Sequence, residues 1–427
     1  MSIAPLHPRD ILTGNAEQGF KVEEVSLKQI AEQFGTPCYV YSQAAIQGAW
    51  TEFTDHLGAV SPMICFAVKA NPNLAILNLL SKLGAGFDIV SGGELARVIA
   101  AGGDPGKVVF SGVGKSIQEM EFALRSKVFC FNVESEAELE RLNQVATRMG
   151  LVAPVSLRVN PDVDARTHPY IATGLKESKF GVAWEQAIQL YERATELKGL
   201  AVRGVDCHIG SQITDLSPFG EALDRLLVLV ETLSARGIPI EHIDVGGGVG
   251  IQYRDEAPPQ LEQYAKVLIE RLQGRPEHLI LEPGRRIIGN AGLLLTRVEY
   301  TKKAGDKQFA LVDAAMNDLM RPALYEAWHE VVAVQTNGPE SVFDIAGPVC
   351  ESGDILARDR TLNAQEGSLL AILSAGAYGS SMSSNYNTRT RPAEVLVNGS
   401  HVHLIRQRET LSRLWEDEII PENLSIS

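Results

Sequence analysis

Between residues 60 and 290 the sequence alternates short apolar runs with longer segments of helical periodicity, and this alternation restricts the fold more than any other feature. Each run is apolar at nearly every position, which is typical of parallel strands that helices cover on both faces. The eight runs lie at residues 62–68, 86–91, 107–112, 127–133, 153–160, 200–209, 241–246 and 278–283.

The segments between the runs carry the start signals of helices. Ser116 with Glu119, and Ser135 with Glu138, both have the spacing of a capping box. Eight strand-then-helix units in about 230 residues match the length of a closed (β/α)8 TIM barrel. A doubly wound open sheet is the alternative that the same pattern allows. We therefore expect an α/β protein whose barrel spans residues 44–290.

A second domain is predicted beyond residue 290, because the pattern changes there. Strand-like runs follow one another with few helices between them, and the turn at residues 398–400 has the composition of a hairpin. Strand-like segments also occur at residues 20–26 and 38–42, and we expect pairing with the C-terminal sheet. The second domain is thus predicted to be a mainly antiparallel β-domain, sandwich-like or barrel-like, formed by residues 1–43 and 291–427.

The composition excludes several classes of protein. The chain has 39 Lys and Arg against 53 Asp and Glu, a net charge of −14, which argues against nucleic-acid binding. No apolar run approaches the roughly 18 residues of a membrane helix, and the N-terminus lacks the pattern of a secretory signal. The five cysteines are odd in number and form no C-x-x-C pair. This favours a reducing, cytoplasmic location and speaks against a zinc site.

Polar residues collect where the predicted strands end, which is where barrels of this kind carry their functional groups. Gly246–Gly250 follow the seventh run and Glu282–Arg285 follow the eighth, and the loops after these two strands commonly bind phosphate. Successive glycines let backbone N–H groups surround an anion, and the N-terminus of a following helix would add its dipole. The other polar residues at strand ends are Lys69, Asp88, His208 and Ser211.

A lysine and a phosphate site at one barrel mouth suggest pyridoxal 5'-phosphate as cofactor. Its aldehyde condenses with a lysine amine, and its ring nitrogen needs an acidic partner. Lys69 and Glu282 are the candidates, and a neutral His208 would lie flat against the ring. Each residue also has a simpler interpretation. Taken alone, Lys69 could be a solvent-exposed lysine at a strand end, and Glu282 could form an ion pair with Arg285 or Arg286. His208 could be a hydrogen-bonded core histidine, and the glycines could form a flexible turn.

Five motifs in this order and spacing resemble the fold-type III pyridoxal-phosphate decarboxylases, which join an alanine-racemase-like barrel to a β-domain. They are "FAVKAN" from residue 66, "GFDIVSGGEL" from 86, "CHIGSQ" from 207, "DVGGGVG" from 244 and "EPGR" from 282. Further segments resemble the diaminopimelate decarboxylase family. These lie at residues 158–181, 321–330, 347–354 and 375–387. The resemblance extends from about residue 20 to about residue 400.

The resemblance implies a set of cofactor contacts. Lys69 would bind the cofactor covalently, His208 would stack on its ring, and Glu282 would bind the ring nitrogen. Tyr378 would reach the phosphate from the β-domain. The remaining cofactor-binding residues would be Asp88, Ser211, Gly247, Gly248, Pro283, Gly284 and Arg285.

The resemblance also implies the substrate and the proton donor. Members of this family release CO2 from the D centre of meso-2,6-diaminopimelate and form L-lysine, the last step of lysine biosynthesis. Cys350 would give the proton, from the other subunit of a head-to-tail homodimer with shared active sites. Arginines suit the distal carboxylate and a glutamate suits the distal ammonium. The residues at that distal end would be Arg285, Arg321, Tyr325, Glu351 and Tyr378.

Several alternatives stay open from the sequence alone. The same scaffold could decarboxylate ornithine, arginine, lysine or carboxynorspermidine, or the chain could be a catalytically inactive pyridoxal-phosphate-binding regulator or a sugar-phosphate barrel enzyme. Taken alone, Arg321 could form an ion pair at the surface or at an interface. Tyr325 and Tyr378 could be packing tyrosines, and Cys350 could be a small buried thiol. Residues 161–181 read as a long loop after the fifth strand, and we expect a lid that closes over the substrate.

Overall fold

A computed structural model of the chain describes residues 7–164, 179–336 and 338–422. The chain divides into two compact units. One contains Ala45–Asn290, and the other combines Pro8–Ala44 with the residues from Ala291 onward. No helix in the described part of the chain is both long and apolar enough to cross a membrane.

The first unit is a closed barrel of eight parallel strands, and each of the eight predicted runs contains one of them. The sheet closes because the last strand pairs with the first, with Ile280 opposite Met63, and the fourth pairs with the fifth. The open doubly wound alternative is therefore wrong. The barrel strands are Met63–Ala67, Gly86–Ile89, Val108–Phe110, Cys130–Val133, Ala153–Asn160, Leu200–Asp206, His242–Asp244 and His278–Leu281. A two-residue strand, Val182–Ala183, adds to the fifth of them.

Helices connect the barrel strands, and their caps explain where several of them begin. Ser116 and Glu119 form the predicted reciprocal capping box. At Ser135 only half of the predicted box forms, because the Glu138 carboxylate bonds to the Glu134 N–H and to Lys115 instead. The helices of this part of the chain are Gln43–Leu57, Leu74–Lys82, Gly92–Ala100, Ile117–Ser126, Glu136–Met149, Trp184–Glu196, Ser217–Ala235, Leu261–Leu272 and Arg285–Ile288.

The barrel interior changes from apolar to polar along the strands. Cys65, Val109 and Ile280, from three neighbouring or near-neighbouring strands, form a buried apolar cluster. Side chains two residues apart on a strand share a face. Ser111 follows Val109 by two residues and Glu282 follows Ile280 by two, so both lie on the interior face, closer to the C-terminal ends of the strands. Ser111 Oγ donates to Glu282 Oε1 at 3.5 Å, which confirms that placement. The alternation of the strands thus delivers polar groups to the mouth of the barrel.

The second unit is a mainly antiparallel sheet that contains the predicted N-terminal segment. Cys38–Ser42 pairs antiparallel with Gly292–Ala304 and parallel with Ala393–Asn398, as expected for a segment that joins the C-terminal sheet. The hairpin at residues 398–400 is also confirmed, since Asn398 lies opposite His401. The other strands of this sheet are Lys307–Val312, Val331–Ala333, Ser341–Ala346, Ile355–Leu362, Leu369–Ile372 and His401–Arg406.

One face of this second sheet is covered by the helix Leu27–Phe34, which presents Ile30 and Ala31 to an apolar core. Val40 and Leu295, from two neighbouring strands, belong to the same buried cluster. A short helix, Arg321–Tyr325, follows the sheet strand Lys307–Val312, and a small three-stranded sheet precedes the helix Leu27–Phe34. That small sheet consists of Leu12–Thr13, Lys21–Val22 and Val25–Ser26.

Candidate active site

Lys69 is held at the mouth of the barrel by a buried carboxylate. It lies in a single helical turn, Val68–Ala70, directly after the first strand, and its Nζ is 2.7 Å from Asp88 Oδ2. The Asp88 side chain is fully buried in the second strand, whereas the Lys69 side chain is 35 % exposed. The ion pair explains why a lysine ends an apolar strand. It fixes the direction of the amine and leaves part of the side chain accessible.

His208 is a neutral imidazole with a defined tautomer. The Gly247 N–H donates to His208 Nδ1 at 3.2 Å, so the neutral ring carries its hydrogen on Nε2. Burial, together with the positive charges of Arg158 and Lys69, lowers the pKa of His208 well below its usual value. A neutral ring of this kind can lie against an aromatic cofactor without competing for protons.

The glycines after the seventh strand form a close-packed turn, not a flexible one. A Cβ on Gly247 would lie 2.2 Å from the carbonyl oxygen of Glu282, and one on Gly248 would lie 2.5 Å from that of Gly210. Gly248 also has φ of +105°, which side-chain-bearing residues rarely adopt. Asp244 Oδ1 accepts from the Gly246 N–H at 2.8 Å and fixes the start of the turn. The backbone therefore approaches neighbouring loops as closely as an anion cradle requires.

Glu282 belongs to a group of three buried carboxyl groups. One oxygen each of Asp206, Asp244 and Glu282 lies within 4.8 Å of the others. Burial first, and then the neighbouring carboxylates, raise the pKa of Glu282 well above its usual value. Burial, with a smaller contribution from the charge of Asp88, raises the pKa of Asp244 to about 7. The predicted alternative, an ion pair of Glu282 with an arginine, is absent from the described structure, and Arg286 pairs with Glu52 at 3.2 Å.

Asp244→Asn is expected to stabilise the cofactor-free protein more at pH 8 than at pH 5. The folded state raises the pKa of Asp244 from 3.8 to about 7, so folding favours the neutral carboxyl. The contribution of Asp244 to the free energy of unfolding is fully present below its pKa in the unfolded chain. It is lost as the pH rises through its pKa in the folded protein. Asparagine stays neutral and keeps an oxygen for the Gly246 N–H.

The measurement is thermal unfolding of both proteins at the two pH values. We expect the melting temperature of the variant to exceed that of the wild type by a few °C at pH 8 and by less at pH 5. The same difference at both pH values, or a larger one at pH 5, would contradict the buried neutral carboxyl.

Arg285 and Ser211 are brought together at the same rim. Arg285 Nη1 donates to the Tyr253 hydroxyl at 2.6 Å, and Nη2 donates to Ser211 Oγ at 3.1 Å. The short helix that Arg285 begins has only four residues, Arg285–Ile288. Polar hydrogens of a guanidinium and a hydroxyl, next to the glycine turn, suit a phosphate. No motif or periodicity in the sequence predicts the role of Tyr253 at this rim.

The segment after the eighth strand packs directly on the Lys69 turn. The Ala67 N–H donates to the Pro283 carbonyl at 3.1 Å, and a Cβ on Gly284 would lie 3.0 Å from the Cβ atoms of Ala67 and Ala70. The Glu282 N–H donates to the carbonyl of Gly246 at 2.8 Å. These contacts join the strand ends that carry the lysine, the glycine turn and the buried glutamate.

Further residues at the barrel mouth were not predicted. Arg158 is buried in the fifth strand, where Nη1 is 3.3 Å from Glu134 Oε1. Glu134 Oε2 accepts from the Gly181 N–H at 3.0 Å, at one end of the predicted lid. The alternation of the fifth strand was a usable signal for Arg158, because it places that residue on the interior face. Most of the predicted lid, residues 165–178, lies outside the described residues.

In the second unit, Cys350 and Glu351 lie side by side in the loop between Ser341–Ala346 and Ile355–Leu362. Cys350 is exposed, whereas the other four cysteines are buried, so the interpretation of Cys350 as a buried thiol is wrong. The Cys350 N–H donates to Asn387 Oδ1 at 3.1 Å, and Glu351 Oε1 accepts from the Tyr386 hydroxyl at 2.6 Å. An accessible thiol and a carboxylate are thus presented as neighbours.

The other predicted residues of the second unit also have defined surroundings. Arg321 is buried, with Nη1 2.9 Å from His329 Nε2, so the alternative of a surface ion pair is wrong. His329 Nδ1 lies 2.8 Å from the carbonyl of Leu373, which makes Nδ1 the donor and Nε2 the acceptor. Tyr325 is half-buried at the end of the helix Arg321–Tyr325. Tyr378, also half-buried, has φ of 56°, an uncommon conformation for a bulky residue that often marks functional positions.

The donor set of the barrel mouth fits pyridoxal phosphate. Lys69 offers an amine, His208 a flat neutral ring, Glu282 a buried carboxyl group with a raised pKa, and the glycine turn a cradle that a Cβ would fill. Arg285 with Ser211 adds hydrogen-bond donors for the phosphate. Every predicted cofactor contact of the first unit therefore lies at the C-terminal ends of the barrel strands.

Comparison with known proteins identifies the family of the chain. The family model "Pyridoxal-dependent decarboxylase, pyridoxal binding domain" matches residues 43–289. The diaminopimelate decarboxylase of Vibrio cholerae is 57 % identical over 403 residues, which are 94 % of this chain and 97 % of the relative. That of Pseudomonas aeruginosa is 59 % identical over 402 residues, with the same coverage of 94 % and 97 %.

Solved structures give the same result. The crystal structure of diaminopimelate decarboxylase from Helicobacter pylori with L-lysine has a TM-score of 0.89 at 42 % identity, and the match covers 92 % of this chain and 98 % of that one. The enzyme from M. jannaschii with L-lysine has a TM-score of 0.93 at 38 % identity, with 98 % and 100 % covered. The chain therefore belongs to the pyridoxal-dependent decarboxylases and, within them, to the diaminopimelate decarboxylase family.

Proposed function

We propose that this protein decarboxylates meso-2,6-diaminopimelate to L-lysine and CO2, the last step of lysine biosynthesis, with pyridoxal phosphate as cofactor. The observation that carries the proposal is the convergence of Lys69, the Gly246–Gly250 turn and Glu282 at one barrel mouth. Relatives that are more than half identical over most of the chain bear the name of this enzyme, and two similar structures contain its product.

The barrel residues bind and orient the cofactor. When bound, pyridoxal phosphate supplies an electron-accepting ring that stabilises the negative charge left by departing CO2. Lys69 would offer its amine to the aldehyde, and the neutral imidazole of His208 would contact the cofactor ring. Gly247 and Gly248, with Ser211 and Arg285, hold the phosphate. The backbone at Gly247 and Gly248 packs closely against the carbonyl groups of Glu282 and Gly210, which keeps the phosphate cradle rigid.

Glu282 supplies the acidic partner of the ring nitrogen. Its carboxyl group is buried beside Asp206 and Asp244, and its pKa is raised well above the usual value. Three carboxyl groups this close cannot all be ionised, so the cluster holds protons near neutral pH. A proton held on Glu282 can be shared with the ring nitrogen, which increases the capacity of the ring to accept electrons.

The second unit supplies the proton donor and the recognition of the substrate's distal end. We assign the proton that replaces the lost carboxylate to Cys350 Sγ. The bond from the reacting carbon to the carboxylate breaks, CO2 leaves, and the carbon takes the thiol proton. Arg321, with Arg285 and Tyr325, pairs with the distal carboxylate, and Glu351 pairs with the distal ammonium, since a guanidinium matches a planar carboxylate.

We further propose a head-to-tail homodimer in which Cys350 and Glu351 of one subunit complete the barrel site of the other. The accessibility of Cys350 in its own chain supports this role, because a donor shared between subunits must reach out from its own fold. Tyr378 would add a contact to the phosphate. Its left-handed backbone conformation is compatible with selection for function.

A reducing cytosol is part of the proposal. All five cysteines are free thiols, and four of them are buried. The fifth, Cys350, is exposed and must stay reduced to give a proton. An oxidising compartment would expose this thiol to disulfide formation or sulfenic acid.

The test is incubation of the purified protein and pyridoxal phosphate with meso-diaminopimelate, the L,L isomer, ornithine and lysine in parallel. We expect CO2 and stoichiometric L-lysine from the meso isomer alone. Release of CO2 from ornithine or lysine would instead support a decarboxylase of another basic amino acid. Cofactor binding without any CO2 would support an inactive regulatory homologue.

A further inference from the structure

In the second unit, Tyr386 and Asn387 form hydrogen bonds with the neighbouring residues Glu351 and Cys350. The Tyr386 hydroxyl donates to Glu351 Oε1 at 2.6 Å, and Asn387 Oδ1 accepts from the Cys350 N–H at 3.1 Å. The loop that carries Cys350 and Glu351 spans residues 347–354, and its tip is thus bound at two adjacent points. Neither Tyr386 nor Asn387 is among the site residues that the family resemblance implies.

The base of this loop is fixed independently of its tip. Asp354 is buried, and its two carboxylate oxygens accept from the backbone N–H groups of Met316 and Val349, both at 2.7 Å. The Gly347 N–H donates to the Asp354 carbonyl at 3.1 Å, which closes the loop. Loss of a contact at the tip therefore leaves the base of the loop in place.

The segment that carries Tyr386 is itself held in a specific conformation. Asn387 and Thr388 both have positive φ, 54° and 55°, which is uncommon for residues other than glycine. Asn385 Nδ2 donates to Glu409 Oε2 at 2.7 Å, and Arg389 Nε donates to Asn317 Oδ1 at 2.9 Å. These contacts on either side of Tyr386 fix the direction from which its hydroxyl reaches Glu351.

The hydrogen bond to Tyr386 uses only one of the two carboxylate oxygens of Glu351. Oε2 accepts no hydrogen bond from any residue in the described part of the chain. A glutamate side chain on the protein surface samples several rotamers, so one oriented hydrogen bond selects among them. The selected rotamer leaves the second oxygen available for a cationic ligand.

We propose that Tyr386 is a specificity-determining positioning residue, whose hydroxyl orients the Glu351 carboxylate toward the distal ammonium of the substrate. The inference rests on the proposed function, because it assigns Glu351 to that ammonium. The ligand class is an amino acid with a second ammonium group at its far end. Tyr386 does not touch the reacting carbon in this account and acts through Glu351.

A purely structural role for Tyr386 predicts a different pattern of effects. If its hydroxyl only stabilised the loop, its loss would weaken all substrates equally and would lower the melting temperature. If it orients Glu351, its loss weakens only ligands that carry the distal ammonium. A pair of ligands that differ by that one group separates the two roles.

The experiment compares Tyr386→Phe with the wild-type holoenzyme on two ligands. One is meso-diaminopimelate, and the other is 2-aminopimelate of D configuration, which has the same length and lacks the distal ammonium. The second ligand is measured as a substrate and as a competitive inhibitor of the first. We expect kcat/KM for meso-diaminopimelate to fall about ten-fold, chiefly through KM, and the binding of 2-aminopimelate to change less than about two-fold.

Matched controls complete the design. Tyr300 is also an exposed tyrosine of the second unit, at 61 % against 45 % for Tyr386, so Tyr300→Phe controls for the loss of a surface hydroxyl. In a Glu351→Gln background the further change Tyr386→Phe should add less than about two-fold, because both changes remove the same interaction. Thermal unfolding of each variant verifies an intact fold.

The outcomes distinguish this inference from the function on which it rests. Suppose that the wild type releases CO2 from meso-diaminopimelate. The role of Tyr386 is then overturned if Tyr386→Phe weakens both ligands equally, if it weakens neither, or if its effect adds fully to that of Glu351→Gln. A wild-type protein that releases no CO2 from that substrate would overturn the proposed function itself.

Discussion

Lys69→Ala is expected to reduce kcat by at least about 10³-fold and to abolish covalent attachment of pyridoxal phosphate. The amine at the end of the first barrel strand is that of Lys69, 2.7 Å from Asp88 Oδ2. The phosphate cradle and the buried Glu282 stay in place, so the variant should still bind the cofactor non-covalently. The measurements are turnover of meso-diaminopimelate and the absorbance of the bound cofactor.

The control for this variant must allow for Asp88, which loses its cation while fully buried. An unpaired buried carboxylate destabilises the fold, so the double variant Lys69→Ala with Asp88→Asn should restore the melting temperature without restoring activity. Lys302→Ala, at an exposed lysine of the second unit, should behave as the wild type. Substantial turnover by the folded Lys69→Ala protein would show that this amine is not the one that binds the cofactor.

Cys350→Ala is expected to bind cofactor and substrate normally and to lower kcat by about 10²-fold, the range for removal of a positioned proton donor. The thiol is exposed, and its loop is held by Asp354 at the base and by Asn387 and Tyr386 at the tip. Removal of one surface sulfur should therefore leave the fold and KM nearly unchanged. Steady-state kinetics and CO2 release measure the effect, and wild-type turnover would refute the donor role.

Mixing the two variants tests whether the sites are shared. In a dimer of Lys69→Ala with Cys350→Ala, one site receives both an intact lysine and an intact cysteine if each site draws on both subunits. Random exchange would then restore about a quarter of wild-type activity. No recovery after subunit exchange verified by native mass spectrometry would show that each chain supplies its own cysteine.

The barrel was predictable because its signal is repeated. Each strand needs an apolar run and each helix needs a cap, and eight such units leave few topologies. The half-formed capping box at Ser135 shows where local rules stop. Its Glu138 faces a buried Lys115 amine, and a charged partner at 2.6 Å outcompetes a cap. The sequence does not reveal that Lys115 will lie there.

Part of the active site was predictable, because the position of a residue along a barrel strand determines where its side chain lies in the barrel. Lys69 and Glu282 end strands that the closed sheet makes neighbours, so their convergence follows from topology. The contacts of Arg285 with Tyr253, and of Glu351 with Tyr386, join loops whose paths no periodicity specifies. The rise in pKa of Glu282 depends on its burial first, and then on Asp244, Asp88 and Asp206, each on a different strand. Such properties emerge only when the strands are assembled.

We expect the Lys69 amine, the glycine cradle and the Glu282 carboxyl group to serve one bound pyridoxal phosphate. Borohydride reduction of the holoprotein, followed by proteolysis and mass spectrometry, tests it most directly, because reduction fixes the cofactor to the amine that binds it. We expect a single added pyridoxyl mass on the peptide that contains Lys69. A label on Lys115 or any other lysine, or bound cofactor with no label at all, would contradict it.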